Sequence, residues 1–504
     1  MGIPIFYSAL LLTCVNLVLR LVGTSFQVYL SGVIGAEGIG LLQLTLSVGS
    51  LALVAGTAGV RTASMYLTAE ELGRHRPENL HWVLAGCFRY SIAVSIVIAL
   101  GLVYFAPDLA AHWIGSTQAT AALGLLGAFL PLSCLCGVMT GYFTAANRIG
   151  TLAAVELAEQ AAAMTVTTLL LTFWAEGDMG RSCCCVVLGS GLGTALTTLA
   201  LVLLRSLGRP KAGPPIAMGR RLLTAAVPLG IADAAKSGIT TLENLMVPRR
   251  LARHRATANP LASFGLVSGM VFPVLMFPAC ILYALAELLL PELARCAAAG
   301  RNLRIRYLVR RCLKVTLLYG SLCFGLEFLL ASYLGEALYG SLPAGAMLRL
   351  YAPMIPMLYC DAIVDAMTKG LGQQRACVRY NIFTAALDVI FLFVLLPRYG
   401  MRGYCLSFFV THLLNFLLSL GRLLKITQVT IPLQVPLLTL VGTLSAVWGA
   451  SRFSSPLSAV FVFLCLWVCL LVLGGIVGRE DIRWLKGLVL GKRPRQSQTA
   501  PGKQ

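Results

Sequence analysis

Apolar spans recur along almost the whole chain, and they recur as two matched halves about 225 residues apart. Segment 106–115 lies over 331–340, so that Ala106, Leu109 and Gly115 meet Ala331, Leu334 and Gly340. The same shift carries Ala121, Leu123, Leu125 and Pro131 onto Ala346, Leu348, Leu350 and Pro356, and a shift of 224 carries Pro4 onto Pro228. A membrane protein built from two homologous bundles sets its pathway between them, where rocking exposes one site to each side in turn. A transporter is therefore the first expectation.

Composition identifies the solvent. Of 504 residues, 58% are hydrophobic and only 12% charged, with a mean hydropathy of +0.82. That leaves too little polar surface for a water-soluble protein of this size. A helix needs roughly 20 apolar residues to cross a bilayer. About fourteen such spans can be laid out, at 3–29, 39–63, 83–105, 121–146, 152–174, 183–204, 222–247, 263–290, 309–332, 346–369, 378–396, 401–421, 432–450 and 456–477. The expected fold is an all-α polytopic membrane protein. The first span has neither a basic leader nor a small-residue cleavage site, so it reads as a retained helix.

With the amino terminus placed in the cytoplasm, inward loops and the tail hold 26 Lys and Arg, from Arg74 to Lys503, against 8 on outward loops. This positive-inside bias predicts that both termini are cytoplasmic. It also accounts for most of the net charge of +20. No soluble surface gathers that charge, so nucleic acid is excluded as a partner. One loop departs from the rule: Arg249, Arg250, Arg253 and Arg255 follow the seventh span on the outward side. Either the span count errs there or these arginines have a task; the plainer reading is a long re-entrant connection that tolerates them.

The expected organisation is a six-span lobe (1–204), a basic Pro/Gly-rich cytoplasmic linker (205–221) and a second six-span lobe (222–424). A terminal helix pair (432–478) without a counterpart in the repeat and a basic cytoplasmic tail (479–504) follow. The sixteen cysteines form no CxxC pair and read as small buried hydrophobes. No GxxxxGK[ST], HExxH or GxSxG motif occurs, which sets aside ATP hydrolysis, zinc proteolysis and serine hydrolysis. No cofactor or metal is called for, and the chain reads as a transporter rather than an enzyme.

A charge inside a span costs about 2.5–3.5 kcal/mol on insertion scales and is seldom placed idly. Arg20 lies beyond the middle of the first span, with Asn16 one turn before it. It reads either as snorkelling or pairing with an acid, or as a contact for an anionic substrate. In the tenth span Asp361, Asp365 and Lys369 fall on one helix face. Asp365 and Lys369 can neutralise each other, leaving Asp361 in need of a partner or a proton. In the seventh span Asp233 and Lys236 are spaced as a pair, while Glu243 stands alone. Asp388, Glu156 and Glu159 complete the cavity or coupling candidates. Glu287 and Glu327 are read as lying near span ends, in solvent. Together these charges predict a polar central cavity.

Several blocks now carry a resemblance. LRLVGTSFQVYLSGVIGAEGIGLLQL (19–44), AGVRTASMYLTAEELGR (58–74) and GYFTAANRIGTLAAVELAEQ (141–160) resemble the stage V sporulation protein B group of polysaccharide exporters. ENLMVPRRL, FGLVSGMVFPVLMFP, LLLPELA, KGLGQQRA and LPRYGMRGY follow in order, so the resemblance covers roughly residues 5–425. It places the chain beside multidrug and toxin extruders, O-antigen flippases and MviN/MurJ-type lipid II flippases. It implies two pseudo-symmetric lobes in a V and flipping of an undecaprenyl-pyrophosphate-linked saccharide in the bacterial cytoplasmic membrane. Cell-wall or polysaccharide synthesis enzymes are the implied protein partners, and sporulation the implied setting.

Arg20-Leu21-Val22-Gly23 resembles the first-span Arg-x-x-Gly of lipid II flippases, which implies that Arg20 contacts the diphosphate, with Asn16, Asp361, Asp365 and Lys369 nearby. The pattern departs at Gly35-Ala36-Glu37-Gly38, where those flippases have Gly-Ala-Gly followed by an aspartate, and the arginines before their second-span motif are missing too. Arg61 sits at the other end of the second span and is not carried over. Pro131 and Pro356 are expected to break their helices locally, and the terminal pair to form a groove for the polyprenyl tail. Two rivals are a cation-coupled multidrug extruder, which needs about twelve spans and acids in the lobes, and a non-transporting scaffold, which needs no buried charge in both lobes.

Overall fold

The computed structural model describes residues 3–74, 76–146, 148–206, 219–255, 257–453 and 455–478. Most of the expected linker and the whole tail lie outside them, as does the side chain of Asn16. Hydrocarbon offers the backbone no hydrogen-bond partner, so each apolar segment must satisfy its own amides as a helix. Every regular element among the described residues is accordingly helical.

The first helix, α1 (Ile3–Thr57), holds one span and most of a second, folded sharply at Gly35 (φ 70°, ψ 173°). Only glycine adopts that conformation without strain. Past Ala58 and Gly59, α2 (Val60–Gly73) completes the second span. Next come α3 (Leu80–Asp108), extended by a π-helical turn Leu109–Ile114, then α4 (Ala119–Ala145), α5 (Ile149–Phe173), α6 (Met179–Ser206) and α7 (Gly219–Leu251). The eighth span is broken into α8 (Pro260–Gly265), a π-helical turn Leu266–Val271, α9 (Phe272–Met276) and α10 (Cys280–Ala298), with a bend of 64° before α10. Then follow α11 (Asn302–Tyr339), α12 (Leu342–Tyr351) and α13 (Ile355–Gly370). Finally α14 (Gln374–Thr427) folds at Gly400 (φ 57°, ψ −136°), ahead of α15 (Gln434–Ala450) and α16 (Pro456–Leu473).

Nine segments of the described residues are long and apolar enough to cross a membrane as they stand. Two of these, containing α1 and α14, each double back at a glycine. The bent eighth span, the polar α7 and the short α15 bring the number to the expected fourteen. The face at which α1 begins is called the near end, and the opposite face the far end.

Helices α2 to α6 pack on one another and α10 to α14 likewise, forming two lobes, while α15 and α16 pack together against α11. The second half of α1 runs along the seam between the lobes, against α7 and α8. The repeat is visible in the backbone, because Gly115 (φ 85°) and Gly340 (φ 58°), 225 residues apart, end corresponding helices in the left-handed conformation. The two prolines behave differently. Pro356 sits in the first turn of α13 behind a 3-10 turn, Ala352–Met354, where no amide hydrogen is needed. Pro131 lies inside an unbroken α4, so the break expected there is absent; neighbouring helices tolerate the lost bond.

Candidate functional site

A cavity of about 490 Å³ opens at the seam between the lobes. One wall is the descending half of α1 and the start of α2, with Ser47, Ser50, Thr57, Arg61 and Thr62; the other is α7, with Asp233, Lys236, Ser237, Thr240, Thr241 and Asn244. Hydroxyls at near-helical spacing keep one face of each helix polar, because every side chain on that face must meet water or a partner. Asp233 and Lys236 make no ion pair with each other among the described residues, and both are exposed to the cavity. Arg61 lies within electrostatic reach of Glu156 on α5. The neighbouring Glu159 accepts a hydrogen bond from Thr194 at 2.8 Å. The cavity therefore carries two cations and one acid, with further acids behind Arg61.

Contacts close the seam on both sides of the cavity. At the near end Arg221 bridges Glu70 at 2.8 Å and Glu71 at 2.9 Å, and Asn79 donates to Glu71 at 2.8 Å. There the backbone of the α1–α2 link touches α7, since a Cβ added at Gly59 would meet the Ala226 carbonyl and one at Gly230 would meet Ala58. Midway, Thr241 donates to the Ser47 carbonyl at 3.0 Å and Asn244 to its hydroxyl at 2.9 Å. At the far end Asn259 donates to Glu37 at 2.8 Å and Gln27 to the Gly269 carbonyl at 3.2 Å. Gly265 is there pressed against Ala36 and Gly40.

The other expected residues sit apart from this cavity. The Arg20 guanidinium lies 4.3 Å from the centre of the Tyr283 ring on α10. Asp361 is half-buried and accepts hydrogen bonds from Asn415 of α14 at 3.3–3.4 Å. Asp365 and Lys369 form the expected i,i+4 ion pair, at 2.6 Å. Glu243 of α7 lies within electrostatic reach of Asp388 of α14. Asp388 itself accepts from Ser407 at 2.6 Å and Thr411 at 3.1 Å. No cluster of three or more metal-ligating side chains occurs among the described residues.

Two sequence readings need correcting. Glu327 is only 6% exposed, because α11 continues for about three more turns to Tyr339 and the residue is well inside the lobe. Of the arginines at 249–255, Arg249 and Arg250 form the last turn of an unbroken α7 and Arg253 and Arg255 follow it, so the connection that carries them to Pro260 is short rather than long. Arg61, set aside because it lies at the other end of the second span, lines the cavity from the first turn of α2. The fifteen cysteines from Cys87 to Cys469 are free thiols.

Two bundles meeting at a polar, charged seam define a polytopic membrane protein of the transporter type of fold. Over 499 residues, 94% of this chain and 96% of its relative, the sequence is 20% identical to Stage V sporulation protein B of Bacillus subtilis (strain 168). Among solved structures it resembles the lipid II flippase MurJ in an inward closed conformation, with a TM-score of 0.72, 13% identity, and 95% and 100% of the two chains covered. It also resembles an inward-facing multidrug resistance MATE family transporter of the MOP superfamily, with a TM-score of 0.64, 13% identity, and 83% and 100% covered. No family model matches the chain. The fold is thus MurJ/MATE-like, and the sequence blocks that resembled the sporulation protein are part of a likeness that runs nearly end to end.

Proposed function

We propose that the protein is a flippase that carries an undecaprenyl-pyrophosphate-linked saccharide from the inner to the outer leaflet by alternating access. The observation that supports this reading is the polar cavity at the seam, with Arg61 and Lys236 on its two walls. A diphosphate needs cations at mid-depth, and a saccharide needs hydroxyl and amide partners; the cavity offers both. Arg20 is the proposed diphosphate contact at the α1–α10 edge, where parting of the lobes frees its guanidinium from Tyr283. Asp361, Asp365 and Lys369 are proposed to face the headgroup at that stage. The Glu243–Asp388 pair is the proposed coupling group, since two acids brought together away from water invite a proton or cation. The near end is taken as cytoplasmic, on the distribution of Lys and Arg.

A cation-exporting cavity would favour net negative charge, whereas this one has two cations against one acid. The deciding experiment is translocation of a lipid-linked saccharide in vesicles, with and without a membrane potential. Protein-dependent transfer supports the reading; protein-dependent export of a cationic drug with no lipid transfer would replace it by the multidrug alternative.

A further inference from the structure

Glu327 on α11 is an acid for which the cavity has no use. Its side chain is nine-tenths buried, and neither carboxyl oxygen has a hydrogen-bond partner among the described residues. Among the described residues no charged side chain pairs with it. The titratable groups that face it are uncharged ones: Tyr319 and Cys323 on its own helix, and Tyr359 on α13 with Tyr283 of α10 behind it. Arg349 of α12 lies over the ring of the next residue, Phe328, with 5.5 Å to its centre. From α16, Phe463 packs on Gly325.

The two nearest phenols are already committed. Tyr359 donates to the Leu275 carbonyl at 2.9 Å and Tyr319 to the Pro278 carbonyl at 2.8 Å. These carbonyls flank the 64° bend between α9 and α10, where the helix has left them without amides. A carboxylate in this place would lack both water and a donor, which buried charge does not tolerate. A neutral carboxylic acid fits, because it brings no charge into this place and does not draw away the phenol hydrogens already directed at the bend.

We propose that Glu327 is a proton-binding site, and that its proton keeps Tyr319 and Tyr359 on the carbonyls of the bent eighth span. When the proton leaves, the carboxylate becomes the stronger acceptor, both phenols turn to it, and the bend loses its two donors. The next aromatic residue along is Tyr283, on which Arg20 rests, so the proton and the proposed substrate contact act on one broken helix. Proton binding stands by itself; its use in transport rests on the flippase reading.

The test uses full-length protein in lipid nanodiscs without substrate, followed by infrared spectroscopy. At neutral pH the protein should show a protonated carboxyl stretch that is absent from Glu327→Gln and displaced in frequency in Tyr359→Phe. If the spectra of the starting protein and Glu327→Gln match throughout that region, Glu327 is ionised and the proposal is wrong. Should Glu327→Gln fail to fold, Glu327→Asp must shift the band, and an unmoved band overturns the proposal equally. In vesicles, Glu327→Gln should retain downhill lipid transfer while losing its response to an imposed pH gradient; an unchanged response overturns the link to transport. A carboxyl band in the starting protein, lost in Glu327→Gln, alongside no lipid transfer by any form upholds the proton site and rejects the flippase reading instead.

Discussion

Among single residues, Arg61 and Arg20 separate a cavity cation from a cation at the edge of the seam. Arg61→Gln keeps length and hydrogen-bonding capacity but loses charge, so lipid transfer in vesicles should fall by at least about tenfold, the effect of losing one good charge-assisted contact. Equal transfer at equal protein level would remove Arg61 from the substrate path. Arg20→Lys keeps the charge but loses the planar fork that suits both phosphate oxygens and the Tyr283 ring. It should transfer lipid more slowly than the starting protein, whereas Arg20→Ala should abolish transfer with normal insertion. Low abundance of Arg20→Ala, with normal transfer by what remains, would make the arginine structural. The sequence disclosed the Asp365–Lys369 pair because both partners are on one helix. It hid Arg61, Glu327 and the Arg221–Glu70–Glu71 cluster, since the surroundings of each come from helices far away in the chain. Depth within a span was read from apolar run length, and α11 outlasts its apolar run.

The elements were the most legible level. Gaps in the apolar pattern near 30–38 and 397–400 marked where α1 and α14 double back, although nothing in the pattern said that the turns would have no loop. Both turns rest on a glycine at positive φ with extended ψ. A residue with a Cβ there costs about 1–3 kcal/mol. At Gly35 the added methyl meets open space, whereas at Gly400 it lies 2.9 Å from the His254 ring. Both Gly35→Ala and Gly400→Ala should therefore lower the melting temperature in detergent, and Gly400→Ala should lower it more. The reverse order would mean that the His254 contact yields freely. The broken eighth span was invisible, because its apolar residues continue unbroken through a bend that tertiary contacts maintain.

For the whole molecule, the near-end cluster is expected to hold the seam shut. Arg221→Glu sets a third acid beside Glu70 and Glu71, so the two lobes should part there. Hydrogen exchange over 226–237 should then quicken, and adding Glu70→Arg should slow it again. Exchange that is indifferent to both changes would show that the glycine contacts alone close this end. Reporter fusions are expected to place both termini in the cytoplasm, and a carboxyl terminus outside would invert every assignment of side. The two-lobe plan was legible from the 225-residue repeat, which survives as the matching glycines at 115 and 340. The side-chain closure of the seam was not, since the repeat relates lobe to lobe and says nothing about how they touch.

The turn at Gly35 joins two membrane-crossing stretches without a single residue of slack. A loop would let each stretch tilt by itself and absorb the difference. Here the stretch bearing Arg20 and the stretch bearing Ser47 are the arms of one rigid hairpin, and Ala36 and Gly40 at its elbow are pressed against Gly265 of the other lobe. Displacing the elbow must swing both arms at once, so that what happens at the far surface is felt at Gly59, near the opposite surface, as a change of lever angle. Under the alternating access proposed above, this hairpin would link the two sides: the displacement that frees one drives the arm that shuts the other.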